Sequence, residues 1–453
     1  LSTQQQNRSL HYASLRSARV GMTIFIAGLL FAMSFPALAA PLSGAALYSD
    51  VQRYDSFGPH RYGSPGAERA LSWIAEELER AGLKVSSQHF SLARQYDFDV
   101  ATLSVDGETR PVMPQWWIPE RQATFALTAP IAASDSGPAA GAFVRLTLPF
   151  DRGAYLTRQH VAAIESAFAR RPAAVLLTID HPSGEIFTYN VDQKTEPWPA
   201  PVILVAPKDR SLLDAAQQSG RPVSLSVQGA WRRDVPGRNV VARLDRGLGQ
   251  AKAGRWLAIS TPVTSWFTSS CERGPGIAGF LAMARLATTR WPDVNLVFVA
   301  TSGHEIGHGG MEHFLHDGAP RPDATLAWAH FGASLACFGW RRDGERWRTD
   351  RQVDSRQRLV LSSQPMEAAV MRRFKDVVAT RLAGASAGVG ELRDVLAAGY
   401  PRFFGMAGSH TFFHTPADSA AMTGPEILEP VIRAFAETLD DAVQASSPII
   451  RGR

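Results

Sequence analysis

The chain reads as an α/β protein: a mostly parallel central sheet flanked by helices, interrupted by a β-rich insert. Three observations predict this. "WLAIS" (256–260) and "NLVFVA" (295–300) are apolar without alternation, the pattern of strands covered on both faces. Helix-period segments stand between such strands, the order that gives parallel sheets. From about residue 95 to 235 the texture changes to short β-like runs separated by Pro- and Gly-rich turns.

The elements follow in order. Arg16 and Arg19 precede an apolar run, "VGMTIFIAGLLFAMSF" (20–35), and "ALAA" (37–40) offers an A-x-A cleavage site after Ala39. Residues 1–39 are therefore expected to be an N-terminal extension and export signal. The mature chain would be periplasmic or secreted, with membrane attachment only if the signal is uncleaved. Residues 40–94 open the main domain. In "GSPGAERALSWIAEELERAGLKV" (63–85) Leu71, Ile74 and Leu78 mark a helix, Gly82 its end and Lys84 the start of a strand. The insert, 95–235, holds "AVLLTI" (174–179), "PVILVA" (201–206) and one helical stretch, "HVAAIESAFARR" (160–171). "NVVARL" (239–244) leads back into the main domain, 236–453. There Ile277, Phe280, Leu281 and Ala284 share one helix face. Thr423 and Glu426 around Pro425 predict a capping box for a last helix striped by Leu428, Val431, Phe435 and Leu439.

Composition limits the partners. A chain of 453 residues that is 45% apolar is long enough for two or three domains with real cores. A net charge of +5, carried by scattered Arg, does not favour nucleic acid. Cys271 and Cys337 are the two cysteines. An oxidising compartment would let them pair, and the sequence leaves pairing and free thiols open.

"GHEIGH" (303–308) spells H-E-x-x-H, the zinc motif of one class of metalloprotease helices. Glycines at 303, 307, 309 and 310 oppose a helix there, at about 1 kcal/mol each. The segment is better read as a strand-end loop, because ligand chemistry in such sheets collects at the carboxyl ends of strands. Four such loops carry His304 and Glu305, Glu272, His330, and His410 with His414.

Six stretches in this order resemble the di-zinc aminopeptidase family, which includes secreted bacterial aminopeptidases, glutamate carboxypeptidase and transferrin receptor. They are "RYGSPGAERALSWIAEELERAGLKV", an insert similar to the protease-associated domain, "NVVARL", "GPGIAGFLAMARLA", "NLVFVATSGHEIGHGGMEHFL" and "FHTPADS". The chemistry departs from the family. Pro262 and Thr264 stand where the resemblance places a zinc His and its Asp, Glu272-Arg273 where it places Asp-Asn, His304-Glu305 where it places Glu-Glu, and Ala329, beside His330, where it places a further Asp. His414 and Asp418 are retained.

The resemblance thus implies an exported aminopeptidase-type hydrolase with one zinc, held by Glu305, His414 and Glu272, and with His304 as base. His330, His308, His410 and Asp418 are further candidates. The substrate would be a peptide or small molecule. The alternative is an inactive relative that binds a peptide, sugar or protein, with Trp266 and "MPQWWIPE" (113–120) lining a cleft. A serine nucleophile at Ser265, Ser269 or Ser270 lacks a G-x-S-x-G elbow.

Overall fold

The computed structural model describes residues 40–445, apart from 116–117, 134–136, 248–254, 345, 355–357, 378–380 and 384–388. The export-signal segment lies outside the described residues, as do two tryptophans of "MPQWWIPE". No helix among the described residues is long and apolar enough to cross a membrane.

Helix α1 (Gly44–Asp55) leads to α2 (Pro65–Arg80), which starts where Ser64 Oγ accepts the Ala67 N–H. Gly82, at φ +82°, turns the chain into β1 (Lys84–Val105). β1 pairs antiparallel with β8 (Pro222–Leu244) without interruption from Lys84↔Arg243 to Ser104↔Ser224, apart from a bulge between Phe98 and Val100. This ribbon belongs to the main sheet at one end and carries the insert at the other. The expected domain limits, near 95 and 235, therefore fall inside continuous strands.

The insert builds a separate four-stranded sheet from β3 (Met113–Pro114), β5 (Phe143–Pro149), β6 (Ala174–Asp180) and β7 (Val202–Leu204). Helices α3 (Arg158–Ala169) and α4 (Arg210–Ser219) accompany it. β2 (Glu108–Pro111) and β4 (Phe125–Pro130) pair with the ribbon.

In the main sheet β9 (Trp256–Pro262), β10 (Asn295–Thr301), β11 (Thr325–Phe331) and β16 (Phe403–Gly408) run parallel, in the order β16-β11-β9-β10. β8 closes one side antiparallel, and β14 (Arg358–Ser362) with β15 (Arg381–Ala383) the other. Their lack of alternation now has its cause. Leu257, Ile259, Leu296 and Phe298 pack on one face with α1, α2, α5 (Ser270–Arg290) and α9 (Pro425–Ala445). Ala258, Val297 and Val299 pack on the other with α6 (Gly309–Asp317) and α8 (Leu392–Ala397). A hairpin, β12 (Phe338–Asp343) and β13 (Arg346–Val353), and α7 (Glu367–Phe374) complete the chain.

The capping box predicted for α9 does not form. Thr423 Oγ1 donates to the Ala336 carbonyl and Glu426 pairs with Arg351, so the first helical N–H groups go to Gly424 O instead. The apolar stripe of Leu428, Val431, Phe435 and Leu439 is fully buried as expected.

Candidate functional site

Because β9, β10, β11 and β16 are parallel, their carboxyl ends meet at one sheet edge, and all four loops expected to carry the site start there. After β10 the chain makes one 3-10 turn, His304–Ile306, between Gly303 (φ +78°) and Gly307 (φ +104°), then α6. The two histidines of "GHEIGH" are thus not on one helix. Gly310 is forced by crowding, since a Cβ there would lie 2.4 Å from both Ser302 O and Asn239 Oδ1.

Glu305 is fully buried and both its oxygens are taken. Oε1 accepts the Tyr62 N–H at 2.7 Å and Oε2 the Thr264 hydroxyl at 2.7 Å. Thr264 Oγ1 in turn accepts from Gly303 N and His304 N. Burial raises the Glu305 carboxyl pKa, against these hydrogen bonds. This carboxylate braces the loop before α2 against the turn after β10.

α5 begins at Ser269, in the left-handed region, and Asp418 caps its first turn by accepting from Cys271 N (2.8 Å) and Glu272 N (3.0 Å). Cys271 and Cys337 form a disulfide that ties this turn to the loop after β11, which settles their pairing. His410 lies beside the bridge, with Nδ1 3.1 Å from Ser334 Oγ and Nε2 3.6 Å from Asp418. Cys271, Cys337 and His410 have metal-like spacing, but both sulfurs are spent in the bridge.

The next two residues form a buried ion pair. Arg273 Nη2 is 2.7 Å from Glu272 Oε1, while Arg273 Nε donates to Thr264 O and Ser265 Oγ donates to Glu272 Oε2. Burial pushes the Glu272 carboxyl up. Arg273, His414 and Ser265 outweigh it and hold the group well below the usual carboxylate range. His414 Nδ1 donates to Thr188 O, and its Nε2, without a hydrogen-bond partner, is 3.4 Å from Glu272 Oε1.

These contacts decide the expected zinc set. Two tetrahedral zinc ligands lie about 3.3 Å apart, so His414 and Glu272 alone have suitable spacing. No third His, Cys, Asp or Glu atom joins them within 4.8 Å among the described residues. Glu305 is committed to Tyr62 and Thr264, and a guanidinium already contacts Glu272 Oε1. As arranged in this structure, Glu305, His414 and Glu272, expected to hold one zinc, are not gathered as a ligand set and do not fit the ion.

His304 turns away from Glu305. Its Nδ1 is 3.2 Å from Glu391 Oε1, and its ring stacks on His308 with centroids 4.7 Å apart. Glu391 is fully buried and accepts the Thr301 hydroxyl through both oxygens. Burial, then Arg273 and His308, hold the His304 pKa well below its ordinary value. His308 Nδ1 meets Asp394 at 2.7 Å and its Nε2 meets Tyr155 Oη at 3.3 Å. His330 faces Ser260 Oγ at 2.9 Å; burial lowers its pKa to about 4.

Glu391, Asp394, Thr301 and Tyr155 were missed from sequence. The one available signal was "GELRDV" (390–395), two acids three residues apart after a Gly-rich stretch of sequence.

The insert roofs the site. Val191 N donates to Glu305 O, Trp266 Nε1 donates to Asn190 Oδ1, and Thr188 O accepts from His414. Trp266 is thus a packing residue beneath this roof. Glu272, Glu305 and His414 are 0% exposed, whereas His304 reaches 8%. A cavity of about 650 Å³ lies nearby, lined by Arg61, Tyr62, Ser64, Asp97, Phe98 and Arg232 among others. It shares Tyr62 with the site.

Solved structures of the same fold include a zinc aminopeptidase from Bacillus subtilis (TM-score 0.69, 15% identity, 91% of this chain and 97% of that one). A peptidase precursor from Shewanella amazonensis (0.61, 16%, 90% and 97%) and an aminopeptidase from Aneurinibacillus sp. (0.59, 14%, 89% and 94%) are also similar. No family model and no curated protein sequence matches the chain. At these identities the similarity shows an aminopeptidase-like fold.

Proposed function

We propose that this chain is an exported hydrolase that uses the aminopeptidase-like fold without its metal centre, with His304 as general base. The observation that carries the reading is the buried relay Thr301–Glu391–His304, ending at a histidine that is 8% exposed where Glu272, Glu305 and His414 are 0%. A base oriented by a braced carboxylate is the arrangement that acid–base catalysis needs. With Glu391 accepting from Nδ1–H, Nε2 keeps its lone pair. It takes a proton from water as the water oxygen bonds to the substrate carbonyl carbon. When the C–N bond breaks, the same proton passes to the leaving nitrogen. The low pKa of His304 keeps it in the neutral form this requires. A peptide end as substrate rests on analogy of fold alone. Export rests on the signal-like N-terminus, and the disulfide is compatible with it.

The test is turnover of aminoacyl anilides and short peptides, with and without a chelator. Chelator-resistant activity, reduced about 10²-fold or more by His304→Ala and by Glu391→Ala, is expected. Stoichiometric zinc with chelator-sensitive activity would overturn the reading. Complete burial of Glu272, Glu305 and His414 favours a second reading, a binding module; saturable peptide binding without turnover would establish it.

A further inference from the structure

We propose that Arg273 is a catalytic residue of this site: its guanidinium is the donor that receives the substrate oxyanion, in the role a metal cation plays elsewhere. The proposal rests on the His304 reading and adds the electrophile that reading lacks.

A guanidinium carries five N–H donors in a fixed fork. On Arg273, Nε is used by Thr264 O, and Nη2 makes only the ion-pair contact with Glu272 Oε1. Nη1 and Nη2 have no hydrogen-bond partner, although the side chain is 1% exposed. Unpaired buried donors are costly and rare, so a set of them in a strand-end site marks where an acceptor belongs. Three nearby polar side chains are engaged elsewhere. Thr264 spends its hydroxyl on Glu305, Ser265 spends its own on Glu272, and His304 turns to Glu391. Arg273 Nε donates to Thr264 O and His304 N donates to Thr264 Oγ1, so donor and base meet on the same residue. Donors held in advance in a dry site stabilise developing negative charge more than the same donors in water. Glu272 holds Nη2 and offsets the guanidinium charge in the resting state, which leaves Nη1 as the donor for an oxyanion.

Inorganic phosphate serves as a tetrahedral oxyanion probe, with calorimetry on the whole mature chain at neutral pH. Wild type is expected to bind it saturably. Arg273→Lys, which keeps the charge and loses the fork, should weaken binding about tenfold. Glu272→Gln/Arg273→Gln, which leaves no unpaired buried charge, should abolish it while folding normally by circular dichroism. In the activity assay, Arg273→Ala should lose turnover and regain part of it with added guanidinium, a rescue that a merely structural role would not give. Equal phosphate binding by wild type and the double variant, or none by wild type, would overturn the role. His304→Ala with undiminished turnover would instead sink the acid–base reading, so the two failures are distinguishable.

Discussion

Removing the Arg273 guanidinium alone should be far more damaging than removing the whole ion pair. Glu272 and Arg273 are 0% and 1% exposed, and their charged atoms are 2.7 Å apart. Arg273→Met leaves a buried carboxylate with the Ser265 hydroxyl and His414 as its remaining partners, and breaking such a pair costs about 3–5 kcal/mol. That is a large fraction of the roughly 5–15 kcal/mol holding a typical domain. Glu272→Gln strands the guanidinium in the same way. Replacing both, as Glu272→Gln/Arg273→Met, removes the desolvation cost with the attraction and should stay within about 1 kcal/mol of wild type. The assay is urea denaturation of the four proteins at pH 7, with slopes compared to confirm the same transition. A coupling of at least about 3 kcal/mol is expected from the cycle. Additive single effects would refute the claim that these groups neutralise each other inside the site.

Four further outcomes follow from the same contacts. Thr264→Val should cost about 3 kcal/mol, because it strips a partner from Glu305, Gly303 N and His304 N together; chemical denaturation measures it. Gly310→Ala should cost about 1–3 kcal/mol by overpacking against Ser302 and Asn239, read as a lowered melting temperature. Replacing both Cys271 and Cys337 by Ala should cost up to about 4 kcal/mol, since the bridge closes a 66-residue separation; a loss near zero would contradict this. Burial depresses the His60 pKa to about 4 from 6.5, so the unfolded chain binds that proton first as pH falls. Stability should drop between pH 6.5 and 4 by up to about 3 kcal/mol on this account, and His60→Gln should flatten the pH dependence by that share.

The sequence carried the sheet well, because period and burial are local properties. Both strands without alternation are covered on two faces, and the four candidate loops do leave one edge. What it could not carry is partner choice. Glu305 looked available for metal because nothing in "GHEIGH" shows that Tyr62, distant in the chain, donates to it. Glu391 follows a Gly-rich stretch of sequence with no period to single it out. Arg273 read as a mere replacement for a family Asn until its place against Glu272 was seen. Thr423 and Glu426 had the spacing of a capping box, yet tertiary partners at Ala336 and Arg351 took both side chains.

The β1–β8 ribbon also constrains how the molecule reaches its native state. β8 lies between β1 and β10, so the main sheet cannot be completed until Lys84 has found Arg243 across the entire insert. The entropy of closing that long loop falls if the insert collapses first and draws the ribbon's far ends together at Ser104 and Ser224. The insert would then act as the nucleus from which pairing zips inward, and β10 would add to an edge already made. A chain with a damaged insert should accordingly fail in assembly of the main sheet, and expose its unpaired strand edges, before any defect in the site could be measured.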